Sequence, residues 1–235
     1  MKVVEEGILI HRAPYSETSL LVTILCKTQG LTTFLFQGGK KKQGNILFPL
    51  AHVEFTYYKR NDSSLPKMTE VHLLAVAKSI PFHPVKSGLA FFMAEMIRLV
   101  IRSGHQENQL FQRMLQEALW LDASDELTNY PLLFLAVLCQ ECGISPVLDH
   151  EHPTVFDLKG GKLTTVRPNH VHYIEADWIH WFETLLTEDR ISFLSHAIPK
   201  QERLQCFDAW LRYFQHHLQG MRELKSVEVV RATLI

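Results

Sequence analysis

The stretch Ser19-Leu20-Leu21-Val22-Thr23-Ile24-Leu25-Cys26-Lys27, followed after Thr28 and Gln29 by Gly30-Leu31-Thr32-Thr33-Phe34-Leu35-Phe36-Gln37-Gly38, decides the fold class. Leu20, Val22, Ile24 and Cys26 fall on one face of an extended chain. Thr32, Phe34 and Phe36 alternate against Leu31, Thr33 and Leu35. A period of two in β-branched and aromatic residues, broken by Gly, Pro, Asn or Asp, is the mark of strands. Working outward, Gly7–Arg12 is a short apolar strand, Ile46–Arg60 a long one, and Leu65–Ala77 completes a set of five. Five consecutive strands within residues 1–80 predict a small closed barrel, because closure removes exposed edges. The OB-fold is the best-known five-stranded case; pattern alone leaves an SH3-like barrel open.

Beyond Pro81 and Pro84 the period changes. Leu89, Phe92, Met93, Met96, Ile97 and Val100 form a helical stripe within Val85–Ser103, and Gln109–Leu121 repeats it. Leu127–Cys142 is apolar almost throughout and reads as a central buried helix, with Pro131 tolerated in its first turn. Ala176–Leu186 and Gln201–Leu218 are two more amphipathic helices. Between them and the central helix, Val155–Leu158 and Leu163–Val166 flank Lys159-Gly160-Gly161-Lys162 as a β-hairpin. The expected architecture is therefore α+β and multi-domain. A barrel occupies residues 1–80; a helical bundle domain occupies 81–235, with a small β-hairpin insertion at about 144–174.

Composition narrows the function classes. With 46% hydrophobic residues in 235, the chain has material for packed cores and is no disordered scaffold. Met1-Lys2-Val3-Val4-Glu5-Glu6 lacks the apolar core of a secretory leader. The longest apolar run, Leu89–Ile101, is interrupted by Glu95 and Arg98, short of the roughly 20 residues that span a bilayer. A cytoplasmic chain without a membrane partner is expected. Cys26, Cys139, Cys142 and Cys206 sit in apolar surroundings, as reduced core thiols do. Cys139 and Cys142 form a CxxC, but within a helical stretch rather than at a helix mouth after a strand, where redox pairs sit. The net charge of −1 hides an asymmetry: residues 1–80 hold ten Lys and Arg against six Asp and Glu. Two units with different partners are expected.

The basic half carries the chemistry. Gly38-Gly39-Lys40-Lys41-Lys42 lies between the third and fourth strands, and three adjacent lysines at a barrel mouth suit contact with phosphates, whose neutralisation releases counterions. Arg12, Lys27, Lys59, Arg60 and Lys67 lie on or beside neighbouring strands. Phe34, Phe36, Phe55, Tyr57 and Tyr58 are interleaved with them, some to fill the barrel and some available for stacking bases. The lysine turn equally suits a plain solvated loop. It is no nucleotide-binding P-loop, since Gln43 and a strand follow the lysines.

These residues resemble a known family. Gly7-Ile8-Leu9, Tyr15-Ser16-Glu17-Thr18-Ser19-Leu20-Leu21-Val22-Thr23, Gly30-Leu31 and Gly38-Gly39-Lys40-Lys41-Lys42, continued by Leu47, Pro49 and Glu54, resemble the amino-terminal pattern of the RecO family of bacterial DNA-repair and recombination mediators. The helical half with an insertion after Gly143-Ile144-Ser145-Pro146 is similar too. The resemblance implies an OB-fold followed by a helical domain, and a function without catalysis. It implies binding of single- and double-stranded DNA, annealing of complementary strands, a place at the bacterial nucleoid, and work with RecR. It also implies recognition of the acidic-hydrophobic tail of single-strand-binding protein (SSB), and indirect action on RecA. One departure concerns metal. Many members carry a four-cysteine zinc module in the insertion, whereas this chain has no cysteine between Cys142 and Cys206. His150-Glu151-His152 and His170-Val171-His172 flank the hairpin instead. His150, His152, His170 and His172 form the weaker alternative of a zinc site; the working expectation is a module with no metal and no cofactor.

Two other classes remain in view. A metal-dependent hydrolase would use those histidines, with Asp149 or Glu151 as base. A protein-interaction adaptor would use the barrel as a docking site, and Arg98, Arg102 and Arg113 beside the helical stripes would suit an acidic peptide tail.

Overall fold

The computed structural model describes residues 2–39, 46–58, 65–75, 77–101, 108–218 and 224–234, with the backbone alone at 233 and 234. Five strands follow the sequence order: β1 (Lys2–Pro14), β2 (Leu20–Cys26), β3 (Gly30–Phe36), β4 (His52–Tyr58) and β5 (Lys67–Leu73). They close into a barrel in the order β1-β2-β3-β5-β4, antiparallel throughout except where β3 lies parallel to β5. This is the OB-fold arrangement.

Closure rests on β1, which starts at Lys2 rather than at Gly7. Its first half, Lys2–Ile8, pairs with β4, and its second half, Gly7–Pro14, pairs with β2. Gly7 lies where the two pairings overlap; a Cβ there would collide with Ile24 Cγ2, so glycine lets the wall close. Inside, Leu20, Val22, Ile24 and Cys26 meet Phe34 and Phe36 across β2–β3, as alternation requires. Phe34 lies edge-on to Phe55 at 4.9 Å and to Tyr57 at 5.1 Å between ring centres.

The fourth strand is shorter than the run Ile46–Arg60 suggests. Pro49 has no amide hydrogen and Leu50 has φ of 65°, so neither continues a ladder. The segment 46–51 folds against the barrel instead. Leu47, Leu50 and Ala51 are buried, Leu50 N donates to Leu9 O, and Leu9 N donates to Ala51 O.

Helices α1 (Pro84–Val100) and α2 (Asn108–Ala123) pack on β1. Ile8 and Leu25, adjacent on the outer wall, are therefore as buried as the residues inside. The compact units of the chain are accordingly Met1–Ser124 and Asp125–Ile235. The last barrel strand ends at Leu73, and the unit extends past it and past residue 80 because the strand wall is apolar on both faces. A polar knot fastens the helices. Asp122 accepts the amide hydrogens of Lys78 at 2.7 Å, Ser79 at 2.9 Å and Ile80 at 2.8 Å. The buried Lys86 ammonium donates to Ser79 Oγ and to Asp122 O, both at 3.0 Å.

In the second unit, α3 (Tyr130–Glu141) is buried on nearly every side and packs against α4 (His180–Thr187), α5 (Arg190–Ser195) and α6 (Lys200–His217), as its unbroken apolar sequence predicts. A last helix, α7 (Val227–Leu234), packs on α6. The insertion is more than a hairpin. Strands β7 (Val155–Asp157) and β8 (Lys162–Thr164) pair as expected, but β6 (Val147–Leu148) and β9 (Tyr173–Glu175) extend them to four strands ordered β6-β8-β7-β9. Phe156 anchors this sheet, with its ring centre 4.7 Å from that of Phe182 and 5.1 Å from that of Tyr213. Among the described residues, no helix is long and apolar enough to cross a membrane.

The Asp122 knot has a measurable consequence. Burial works to raise its carboxyl, but the amides of Ile80, Lys78 and Ser79 and the Ser79 hydroxyl outweigh that and hold it below its ordinary value of 3.8. A group depressed in the folded state stabilises fully above its unfolded value and loses that contribution as pH falls toward the folded one. Asp122→Ala should therefore lower the unfolding free energy at neutral pH by about 1.5–3 kcal/mol in urea titrations. The difference from the native chain should shrink below pH 3.8; an unchanged midpoint at neutral pH would show the knot to be idle.

Candidate nucleic-acid interface

Of the basic residues expected to meet DNA, Arg12, Lys27 and Lys67 fall among the described residues, and they lie at different places on the barrel. Lys40, Lys41, Lys42, Lys59 and Arg60 lie outside the described residues, as does Arg102. Of the rest, Arg12 is exposed opposite Val22, near the far end of β1 from Lys2. Lys27 Nζ donates to Glu6 Oε2 at 2.7 Å, and His52 Nε2 lies 2.9 Å from Glu6 Oε1. Burial works to raise the Glu6 carboxyl, but the hydrogen bonds from Lys27 and His52 outweigh it and hold it below its usual value. The charge of Lys27 is thus offset by a neighbouring carboxylate, and this cation sits beside an acidic group rather than in a basic groove.

Lys67 differs. β1, β4 and β5 place Lys2 opposite Tyr58 and Tyr58 opposite Lys67, a single row across three strands. Tyr57 and Met68, the inward neighbours, belong to the core, so this row faces outward. Among the described residues, no side-chain hydrogen bond or ion pair holds Lys2, Tyr58 or Lys67. Sequence reading missed Lys2, because the alternation of Lys2-Val3-Val4-Glu5 is too short to announce a strand by itself. It also left the direction of Tyr58 open. The end of β3 lies beside the start of β5, with Leu35 opposite Lys67 and Phe36 opposite Met68, and Gly38-Gly39 precede Lys40–Lys42 in the sequence. Further along the same outer face the charge reverses. Thr56 lies opposite Glu70, and Glu54 lies opposite Glu6 and His72. On this wall, among the described residues, Lys2 and Lys67 lie at one end and Glu54 and Glu70 lie further along.

Of the arginines named for a peptide tail, Arg98 and Arg113 lie on different helices. Arg98 is exposed on α1, where it shares a face with the exposed Phe91 one heptad earlier. Arg113 on α2 instead pairs with the buried Glu117 at 3.4 Å.

The histidine pairs diverge. His150 Nδ1 lies 3.1 Å from Thr164 Oγ1, whereas His152 has φ of 53° and turns toward Glu183, 3.7 Å away. His170 Nε2 lies 3.3 Å from Asp157 Oδ1, and the His172 ring meets that of His216 on α6 at 4.8 Å. His150, His152, His170 and His172 therefore do not close one site, and among the described residues no three His, Cys, Asp or Glu are arranged to hold a metal. The physical reason is local pairing: each ring already has a partner on a different strand, loop or helix. Asp149, named as a candidate base, lies 3.6 Å from Lys162 Nζ. Cys139 faces the core of α3 and burial pushes its thiol up, the opposite of what a redox CxxC needs.

His216 titrates against its neighbours. Burial and the nearby His172, His217, Arg212 and His170 lower it from its usual 6.5. A depressed histidine costs nothing above its unfolded value, and the folded state loses stability as pH falls through 6.5 toward the folded value. His216→Gln should flatten the fall of the thermal midpoint on acidification below pH 6.5. An identical pH profile in native and variant chains would remove His216 as a source of that fall.

Comparison with known proteins agrees with this fold. Residues 1–77 match the family model for the recombination protein O N terminal, which ends close to the last barrel strand. The DNA repair protein RecO of Bacteroides fragilis is 31% identical over 232 residues, covering 96% of each chain. Those of Phocaeicola vulgatus and Christiangramia forsetii are 26% identical over 231 residues and 25% over 235, covering 96% and 98% of each chain. An OB-fold closed through β1, followed by a helical second unit and matched over nearly its whole length by these relatives, places the chain in the RecO family.

Proposed function

We propose that this chain is a non-catalytic mediator of DNA repair and homologous recombination in the bacterial cytoplasm. It binds single- and double-stranded DNA, anneals complementary strands, and with RecR helps load RecA onto single strands coated by SSB. The observation that carries the reading is the polarised barrel. Lys2 and Lys67 flank Tyr58 at one end of the β1–β4–β5 wall, and Glu54 and Glu70 lie away from it; Lys40–Lys42 follow Gly38-Gly39 in the sequence. Such a layout directs a polyanion to that end and neutralises phosphates there without reading sequence. Family membership supports a role in DNA repair, since relatives are DNA repair proteins by name. Phe91 and Arg98 on one face of α1 support recognition of an acidic-hydrophobic SSB tail. The insertion sheet is proposed to work without metal or other cofactor, held by Phe156 and by the Asp157 carboxylate, which accepts Lys159 N and Gly160 N.

Replacing Lys40, Lys41 and Lys42 together with glutamate should weaken single-strand binding severely in a fluorescence-anisotropy titration. The salt dependence should also become shallower, by about 0.7 in the log–log slope for each phosphate that is no longer neutralised. Unchanged affinity with an unchanged slope would reject the barrel end as the DNA site.

A further inference from the structure

OB-folds commonly hold oligonucleotides on the face of their second and third strands. In this barrel that face is unsuited to the task. Its outward residues pair as Leu21 with Leu35, Thr23 with Thr33 and Leu25 with Leu31, and the two threonine hydroxyls bond each other at 3.0 Å. Leu25, Leu31 and Thr23 are buried, so the face offers neither an exposed aromatic ring nor a cation.

The β1–β4–β5 wall offers both. Tyr58 is the ring in its outward row and is 46% exposed, with Lys2 opposite on one side and Lys67 on the other. Adjacent strands lie about 4.8 Å apart, so the backbones that bear Lys2 and Lys67 lie at about that spacing on either side of the one that bears Tyr58. A base laid on the ring would have its 5′ and 3′ phosphates directed to the two lysines. The neighbouring rows carry Glu70, then Glu54, and repel a backbone that strays along the strands. The path of least repulsion therefore crosses the strands at the Lys2–Tyr58–Lys67 row.

We infer that Tyr58, flanked by Lys2 and Lys67, is a base-stacking platform for single-stranded DNA on the β1–β4–β5 wall. The inference rests on the DNA-binding reading and adds a residue that tells single strands from duplex, because a base in a duplex is already stacked on its neighbours. Lys2 and Lys67 serve either form through phosphates; Tyr58 serves only an unpaired base.

The test uses the full-length chain with a fluorescein-labelled oligothymidine and a labelled duplex. Tyr58→Ala should weaken oligothymidine binding about tenfold, in keeping with the loss of one stacked base. It should leave duplex affinity unchanged, and Tyr58→Phe should retain the native affinity for both. Lys2→Gln and Lys67→Gln should each reduce the single-strand salt slope by about 0.7. The outward ring is outside the core, so the unfolding midpoint of Tyr58→Ala should match that of the native chain. Native affinity of Tyr58→Ala for oligothymidine would overturn the platform while leaving DNA binding by the protein intact. An equal loss in Tyr58→Phe, or an equal loss on duplex, would overturn stacking as its mechanism. Failure of the native chain to bind either DNA would overturn the broader reading together with this one.

Discussion

The double pairing of β1 is the constraint on which the rest of the barrel depends. One strand of thirteen residues serves β4 with its first half and β2 with its second. Without that sharing, β4 and β2 would each expose an edge of unpaired amides and carbonyls. The register shift between Leu9 and His11 belongs to the same device, since a bulge bends the strand from one partner to the next. Segment 46–51 then bonds to Leu9 at the bend, and Leu47 and Ala51 add to the core there.

Closure also sets the position of every outward side chain. Because β1 reaches back to Lys2, its amino-terminal end meets the last residue of β4, which on its other side meets the first of β5, and a lysine, a tyrosine and a lysine fall in one row. The same register puts Glu6 beside Lys27 and His52 and places the acidic rows further along. A barrel wall with a period of two thus separates charges that look intermixed along the chain. In the second unit, an aromatic cluster of Phe156, Phe182, Trp210 and Tyr213 does the corresponding work, tying a short four-stranded sheet to helices.

Much of the fold was legible in local pattern, and the failures have identifiable causes. Leu20, Val22, Ile24 and Cys26 alternate cleanly because they face a core on one side only, and they lie where alternation puts them. Leu132–Cys139 reads as a buried helix because it is buried. The start of β1 was not legible, because Val3, Glu5 and Gly7 share the inward face and only one of them is a large apolar residue. The end of the fourth apolar run misled for the opposite reason: Ile46–Ala51 is apolar because it packs on the barrel, not because it is extended. Helix α5 holds only six residues and β6 only two, too few to show a period.

The site was legible only in part. Residue type and order by themselves determined a five-stranded barrel, a helical remainder, a basic lead after Gly38-Gly39 and the likeness to RecO proteins, because each of these is written in short-range pattern. Which cations share a surface was decided by the tertiary structure alone. Lys27 and Lys67 are both basic residues on or beside strands, yet one is matched by Glu6 and the other stands in a row with Tyr58 and Lys2. Cross-strand register brings together residues more than fifty positions apart in the chain, and no local period carries that information.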